Sequence, residues 1–150
     1  MGRYFPMFID ISGKEFLVFG GGNIAFRRVR ALLDFGAKVT VVAPEICKEL
    51  RLLAEADKSL ALEYRRYRPG ELRSPEAVLA ATDDDTANGL IYQECQKKHI
   101  KANVASDKTK CDFYFPAIVQ KDNLTVGITA NGQDHKKAAE TRRRIQALLE

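Results

Sequence analysis

The sequence predicts an α/β chain: a parallel sheet covered by helices on both faces, then a small β-hairpin and a helix. Three observations predict it. Short apolar, β-branched runs alternate with segments of helical spacing as far as Ser106. The first run closes on Gly20-Gly21-Gly22, which opens a helix. After Ser106 the alternation gives way to two strand-like runs joined by a turn.

Each element has a local reason. Glu15 to Phe19 (EFLVF) is a short apolar run bounded by glycine, the mark of a buried strand. Ile24 to Phe35 carries Ile24, Ala25, Val29, Leu32 and Leu33 at helical spacing, and Gly36 is a natural stop. Lys38 to Ala43 (KVTVVA) is β-branched and reads as a second buried strand ended by Pro44. Ile46 to Ala56 returns to helical spacing. Leu60 to Tyr64 is the third strand, followed by the basic stretch Arg65, Arg66 and Arg68. Ala77 to Ala81 is the fourth, Thr86 to Lys98 a helix and Ala102 to Ala105 the fifth strand. Strands separated in this way imply right-handed crossovers and a parallel sheet. Phe113 to Val119 and Leu124 to Thr129 are expected to pair as a hairpin about a turn at Lys121-Asp122-Asn123. Asn131-Gly132 is a further turn signal, and His135 to Leu149 a basic terminal helix.

The chemistry begins at the glycines. Gly20-Gly21-Gly22-Asn23-Ile24-Ala25 fits G-x-G-x-x-A, and it sits where that motif needs to sit, between a first strand and a first helix. Gly20 permits the tight turn, Gly22 lets the backbone approach a pyrophosphate, and Ala25 lets helix and strand pack closely. The helix start offers free N–H groups and positive potential to phosphates. The fold is therefore expected to be Rossmann-type, with residues 1–110 as an NAD-binding domain and 111–150 as a hairpin-helix extension.

An acid at the end of the second strand would bind the ribose hydroxyls of NAD. Pro44 and Glu45 occupy that place. Glu45 serves equally well as a first-turn acid favoured by the helix dipole. No arginine directly follows the strand, although Lys48 and Arg51 are near, so NAD is favoured over NADP. The other strand ends face the same crevice. They supply Thr82, Asp83 and Asp84 at the end of strand four, and Asn103, Ser106 and Asp107 at the end of strand five. Asp84 and Asp85 also suit a helix cap.

Composition narrows the class. The chain has 150 residues, 45% hydrophobic and 29% charged, ample for one packed domain. No apolar run is long enough to span a membrane, and the N-terminus does not have the pattern of a signal peptide. Cys47, Cys95 and Cys111 form no CxxC and no zinc spacing; an odd count of scattered thiols points to a reducing cytoplasm. His99 and His135 have no ligand spacing to a partner, so no metal site is expected. The net charge of +4 is mild and lacks the aromatic-basic pattern of a nucleic-acid surface.

Several segments together resemble one family. They are Pro6-Met7-Phe8-Ile9, the glycine motif with Arg27 and Arg28 after it, and Val41-Val42-Ala43-Pro44. Ala80-Ala81-Thr82-Asp83-Asp84, Asn103-Val104 and Phe113-Tyr114-Phe115-Pro116-Ala117 follow. In order and spacing they resemble precorrin-2 dehydrogenase, the NAD-binding part of siroheme synthase, over nearly the whole chain. The resemblance implies NAD-dependent oxidation of precorrin-2 to sirohydrochlorin by a homodimer joined largely through the hairpin and helix. It carries cofactor contact to Asn23, Ile24, Pro44 and Glu45. The anionic substrate fits a chain rich in arginine, with Arg27 beside the glycine loop and His135 in the loop facing the substrate as candidate contacts.

Three departures qualify the match. Many members have an aspartate where this chain has Ser106, followed by Asp107; a serine hydroxyl is a poor base at neutral pH. Ser106, Asp107 and Asp83 are the catalytic candidates, with Asn103 and Ser106 also placed against substrate. A serine- and glycine-rich loop of the family reads Thr129-Ala130-Asn131-Gly132-Gln133-Asp134 here. Longer members continue with a further helical region, so a smaller cover over the tetrapyrrole is expected and iron insertion is disfavoured. The alternatives are a ferro- or cobaltochelatase for sirohydrochlorin and a non-catalytic NAD- or tetrapyrrole-binding protein.

Overall fold

Five short strands lie side by side in the order β3-β2-β1-β4-β5, all parallel. They are β1 (Glu15–Phe19), β2 (Lys38–Val42), β3 (Leu60–Glu63), β4 (Ala77–Ala80) and β5 (Lys101–Val104). The computed structural model describes residues 2–150. Phe19 is in register with both Val42 and Ala80, and Ala80 with Val104, so the strands end flush at one edge. The chain runs outward from β1 to β3, then returns to the other side of β1 as β4. The switch point lies between β1 and β4, the place where such sheets bind ligands.

The strands are apolar because both faces are covered. Helix α1 (Asn23–Asp34) buries Ala25, Val29 and Leu32 and packs on β1 and β2. Helix α2 (Lys48–Ala56) buries Leu50 against β3. Helix α3 (Asp85–Lys98) buries Asn88, Ile91 and Cys95 on β4 and β5. Ile91 and Cys95 join Phe19, Val42, Val78, Ala80, Ala102 and Val104 in one cluster. Gly36 ends the α1 region at φ +83°, as the sequence predicts.

The connection from β3 to β4 contains no helix. Pro69, Gly70 and Pro75 break it. It is fixed instead from α3. The Glu94 carboxylate accepts the Gly70 N–H (2.6 Å), the Leu72 N–H (2.8 Å) and the Tyr67 hydroxyl, and pairs with Lys98 (3.0 Å). Leu72 is thereby buried and Tyr67 stands edge-on to Phe19 at 5.2 Å. Arg65 pairs with Glu63 and Glu71 at 2.7 Å each, so one cation of the basic stretch is structural.

Burial alone pushes the Glu94 carboxyl up. The hydrogen bonds from Tyr67, Gly70, Lys98 and Leu72 outweigh it and hold the group down at about 2, against 4.5 for a free glutamate. A folded pKa below the unfolded one means the native state binds fewer protons, so the stability is present above about pH 4.5 and is lost as pH falls toward 2. Glu94→Gln is expected to cost about 2 kcal/mol at neutral pH. The wild-type advantage should shrink across that acid window. Urea melts of both proteins at pH 7 and pH 3.5 check it; an equal gap at the two pH values would contradict the assignment.

Several boundaries differ from the sequence reading, each for a local reason. Helix α2 begins at Lys48 rather than Ile46, after an extended Cys47. The run from Phe113 becomes strand only at Ala117, beyond Pro116, which has no N–H to pair. A 3-10 turn at Lys108–Lys110, absent from that reading, forms because the Asp107 side chain accepts the Thr109 N–H.

The chain divides into two compact units: Asp10–Tyr114, which holds the sheet, and Met1–Ile9 with Phe115–Glu150. In the second, β6 (Ala117–Lys121) and β7 (Leu124–Ile128) form an antiparallel hairpin. Lys121 pairs with Leu124, so the turn is the two residues Asp122-Asn123, with Asp122 at φ +53°. Helix α4 (His135–Leu149) packs on this hairpin. Asp134 caps it by accepting the Lys137 N–H at 2.8 Å, and the Arg142 Nε–H donates to the Ile118 carbonyl at 2.9 Å.

Candidate functional site

The loop after β1 is wedged between the ends of two neighbouring strands. Gly20 sits at φ +124°, and a Cβ there would lie 2.2 Å from the Ala81 carbonyl oxygen. A Cβ on Gly21 would lie 2.2 Å from the Glu45 carbonyl oxygen. Only glycine fits either position. Hydrogen bonds from Gly20 N–H to the Val42 carbonyl (3.0 Å) and from Cys47 N–H to the Gly21 carbonyl (2.8 Å) lock the loop to the segment after β2. Gly21 escaped the sequence reading, because the motif leaves its middle position open.

Gly22 is different. Nothing lies within 4 Å of a Cβ built on it. It is the N-cap of α1 and contributes no side chain to the cap, and no acid stands in the first turn. The first helical bond within α1 runs from Phe26 N–H to the Gly22 carbonyl at 3.0 Å. The N–H groups of Asn23, Ile24 and Ala25 therefore meet no side-chain cap at the positive end of the helix. Asn23 and Ile24 are exposed, whereas Ala25 is fully buried against the sheet. A clamped glycine loop, an open N-cap and uncapped N–H groups form a cradle of the right chemistry for a pyrophosphate.

After β2, Pro44 and Glu45 are exposed. Glu45 precedes the Cys47 cap of α2, and the first-turn acid of that helix is Glu49. The first-turn role weighed for Glu45 therefore falls to Glu49.

After β4, Thr82 is held by Asn88. The Asn88 Oδ1 accepts from the Thr82 hydroxyl (2.6 Å), and its Nδ2 donates to the Thr82 carbonyl (3.1 Å). Asp84 caps α3, accepting the Thr86 and Ala87 N–H groups at 3.0 and 3.2 Å. Asp83, between them, is exposed. Asn88 went unnoticed in the sequence, although a polar residue in line with Ile91 and Cys95 at helical spacing was its signal.

Near the end of β5, Asn103 is buried, and its amide is engaged at both ends. It accepts from the Arg28 guanidinium through Oδ1 and donates through Nδ2 to the Phe113 carbonyl (2.8 Å). The sequence reading places Arg27 and Asn103 against substrate. Arg27 is exposed on α1, while its neighbour Arg28 is the half-buried one that reaches β5. Burial lowers the Arg28 pKa. Ser106 is exposed and lines an open pocket of about 240 Å³ with Asp85, Asn88, Gly89, Val104, Asp107 and Lys110. The Asp107 carboxylate accepts the Thr109 hydroxyl (2.6 Å) and N–H (3.0 Å), which hold its pKa below the usual carboxylate range. His135 belongs to the other unit, exposed at the start of α4.

Two of the three thiols are not poised for chemistry. Burial pushes Cys95 up to about 12 and also raises Cys111. Among the described residues, no three His, Cys, Asp or Glu side chains come together as a metal site. Among them, too, no helix is long and apolar enough to cross a membrane.

A parallel sheet with a glycine cradle at its switch point defines a dinucleotide-binding Rossmann domain. Residues 7–117 match a family model described as "Putative NAD(P)-binding", and the chain belongs to that NAD(P)-binding family. More particularly, it resembles the N-terminal NAD-binding domain of the siroheme synthase and precorrin-2 dehydrogenase proteins. It is 40% identical over 147 residues to a "Probable multifunctional siroheme biosynthesis protein HemA" of Ruminiclostridium josui, covering 94% of this chain and 28% of that protein. It is 38% identical over 146 residues to "Siroheme synthase 3" of Aeromonas hydrophila, covering 97% of this chain and 31% of that one. Among solved structures, "SirC, precorrin-2 dehydrogenase" superposes with a TM-score of 0.78 at 25% identity, over 98% of this chain and 72% of that one. The chain spans less than a third of the length of the curated relatives it matches.

Proposed function

We propose that this chain oxidises precorrin-2 to sirohydrochlorin with NAD as the hydride acceptor. The observation that carries the reading is the open cradle at Gly22, in a chain that superposes over nearly its whole length on a protein described as a precorrin-2 dehydrogenase. Bound there, NAD supplies a two-electron acceptor; the residues do the rest.

Gly20, Gly22, Asn23, Ile24 and Ala25 would hold the pyrophosphate through backbone N–H groups. Pro44 and Glu45 would meet the adenosine ribose, where the Glu45 carboxylate accepts hydroxyl protons and repels a 2′-phosphate, favouring NAD over NADP. Thr82 and Asp83 would line the crevice on the β4 side. Substrate loses a hydride to the cofactor and a proton to solvent or to an exposed carboxylate, of which Asp83 is the better placed. Asp107 is a weak base because the Thr109 hydroxyl and N–H, both on its Oδ1, stabilise the carboxylate and lower its pKa. Arg27, on the exposed side of α1, remains a candidate contact for substrate carboxylates.

Catalysis on this reading is mainly positioning, with no general base at position 106. Ser106→Ala is expected to keep at least about a tenth of wild-type turnover. Complete loss in a folded variant would make the hydroxyl part of the chemistry.

The hairpin-helix unit supports a homodimer. Among its described residues Val119 alone is a buried hydrophobic, whereas Phe5 (82%), Met7, Phe8 and Leu148 (84%) are exposed. A two-stranded hairpin and one helix with so small a core gain stability from a second apolar surface. Sedimentation equilibrium should return twice the 16.8 kDa chain mass; a monomer at micromolar concentration would contradict it. Three free thiols suit a cytoplasmic location.

A further inference from the structure

We propose that Arg28 is a positioning residue, which ties the phosphate cradle on α1 to the substrate-facing end of β5 through Asn103. The inference deepens the proposed dehydrogenase reading and rests on it. Arg28 lies on α1, one and a half turns beyond the cradle, and its guanidinium crosses to the Asn103 Oδ1, 75 residues away in the chain. Asn103 passes the restraint on, donating through Nδ2 to the Phe113 carbonyl at 2.8 Å. The segment reached is itself stitched to β5. Asp112 N–H donates to the Ala102 carbonyl (2.8 Å), and Ala102 N–H donates to the Asp112 Oδ2 (2.8 Å). The Cys111 thiol lies 3.3 Å from the Val104 carbonyl and 3.4 Å from the Asp107 carbonyl. One guanidinium therefore joins the helix that would hold the cofactor to β5 and to the 111–113 segment, whose Cys111 thiol reaches the Asp107 carbonyl.

The two ends of this link are fixed differently. The cradle is built from backbone and is clamped by Ala81 and Glu45 without help from Arg28. Cofactor binding should survive loss of the guanidinium. The β5 end is where the link does its orienting, and hydride transfer is steep in the distance and angle between donor and acceptor. Loss of Arg28 should therefore fall on kcat rather than on the affinity for NAD.

The test uses the full chain with precorrin-2 and NAD under anaerobic conditions, with NAD binding measured by calorimetry. Arg28→Met is expected to lower kcat about tenfold or more while the NAD Kd stays within about threefold. Arg28→Lys, which restores a single donor, should recover part of the loss. Asn103→Ala should lower kcat in the same direction with the NAD Kd kept, and the double variant should be slowed by less than the product of the two single losses, because both cut one link. Should Arg28→Met fail to fold, Asn103→Ala reads the link from its other end. Unchanged kcat, losses that multiply in the double variant, or a Kd change as large as the kcat change overturns the proposal. A wild type that does not reduce NAD overturns the reaction itself, and this inference with it, so the two failures are told apart.

Discussion

Gly22→Asp is expected to leave a folded protein whose affinity for NAD has fallen by at least about a hundredfold. Nothing in the protein obstructs the new side chain: no atom lies within 4 Å of a Cβ at this position, and the backbone there has φ −95°, which any residue adopts. An aspartate is a good N-cap and would satisfy the very N–H groups that the cradle leaves open. The substitution therefore stabilises the helix start slightly, by roughly a few tenths of a kcal/mol, while filling the cradle with bulk and negative charge against a pyrophosphate. Calorimetric titration with NAD, beside a thermal melt, checks both halves. Wild-type affinity in a folded Gly22→Asp protein would remove the cofactor from this site.

Two residues earlier the same chemistry has the opposite outcome. Gly20→Ala is expected to cost more than about 3 kcal/mol, a large share of a domain's stability. The left-handed region forbids a side chain at φ +124°, and the added methyl would sit 2.2 Å from the Ala81 carbonyl oxygen and 2.5 Å from its carbon. Those atoms are backbone at the end of β4, so they cannot swing aside as a flexible side chain would. Chemical denaturation of Gly20→Ala measures the cost. A loss under about 1 kcal/mol would mean that the loop and β4 separate easily, and the close approach at the switch point would be wrong. The pair separates two uses of glycine in one motif, folding at Gly20 and access at Gly22.

What the sequence made legible was whatever depends on neighbours in the chain. Strand β1, the glycine turn and α1 follow from an apolar run, three glycines and a helical period, and α4 follows from the basic run His135 to Leu149. Long-range contacts were not legible. The helix-free path from β3 to β4 depends on Glu94, more than twenty residues downstream, and its basic residues gave no hint of that partner. Asn103 shows the same limit within the site. Its place at a strand end marks it for the crevice, but the Arg28 guanidinium and the Phe113 carbonyl claim its amide from distant segments. Asp107 looks like a base in sequence and is drawn into a turn by Thr109, two residues away. Asn88 was readable in principle, as a polar residue on the buried stripe of α3.

The central claim is that this chain transfers a hydride from precorrin-2 to NAD. An anaerobic assay with freshly made precorrin-2, following sirohydrochlorin and reduced cofactor together, tests it most directly. The account predicts that both appear in equal amounts, faster with NAD than with NADP. Failure of both to appear, with insertion of ferrous or cobalt ion when sirohydrochlorin is supplied instead, would contradict it and make the chain a chelatase.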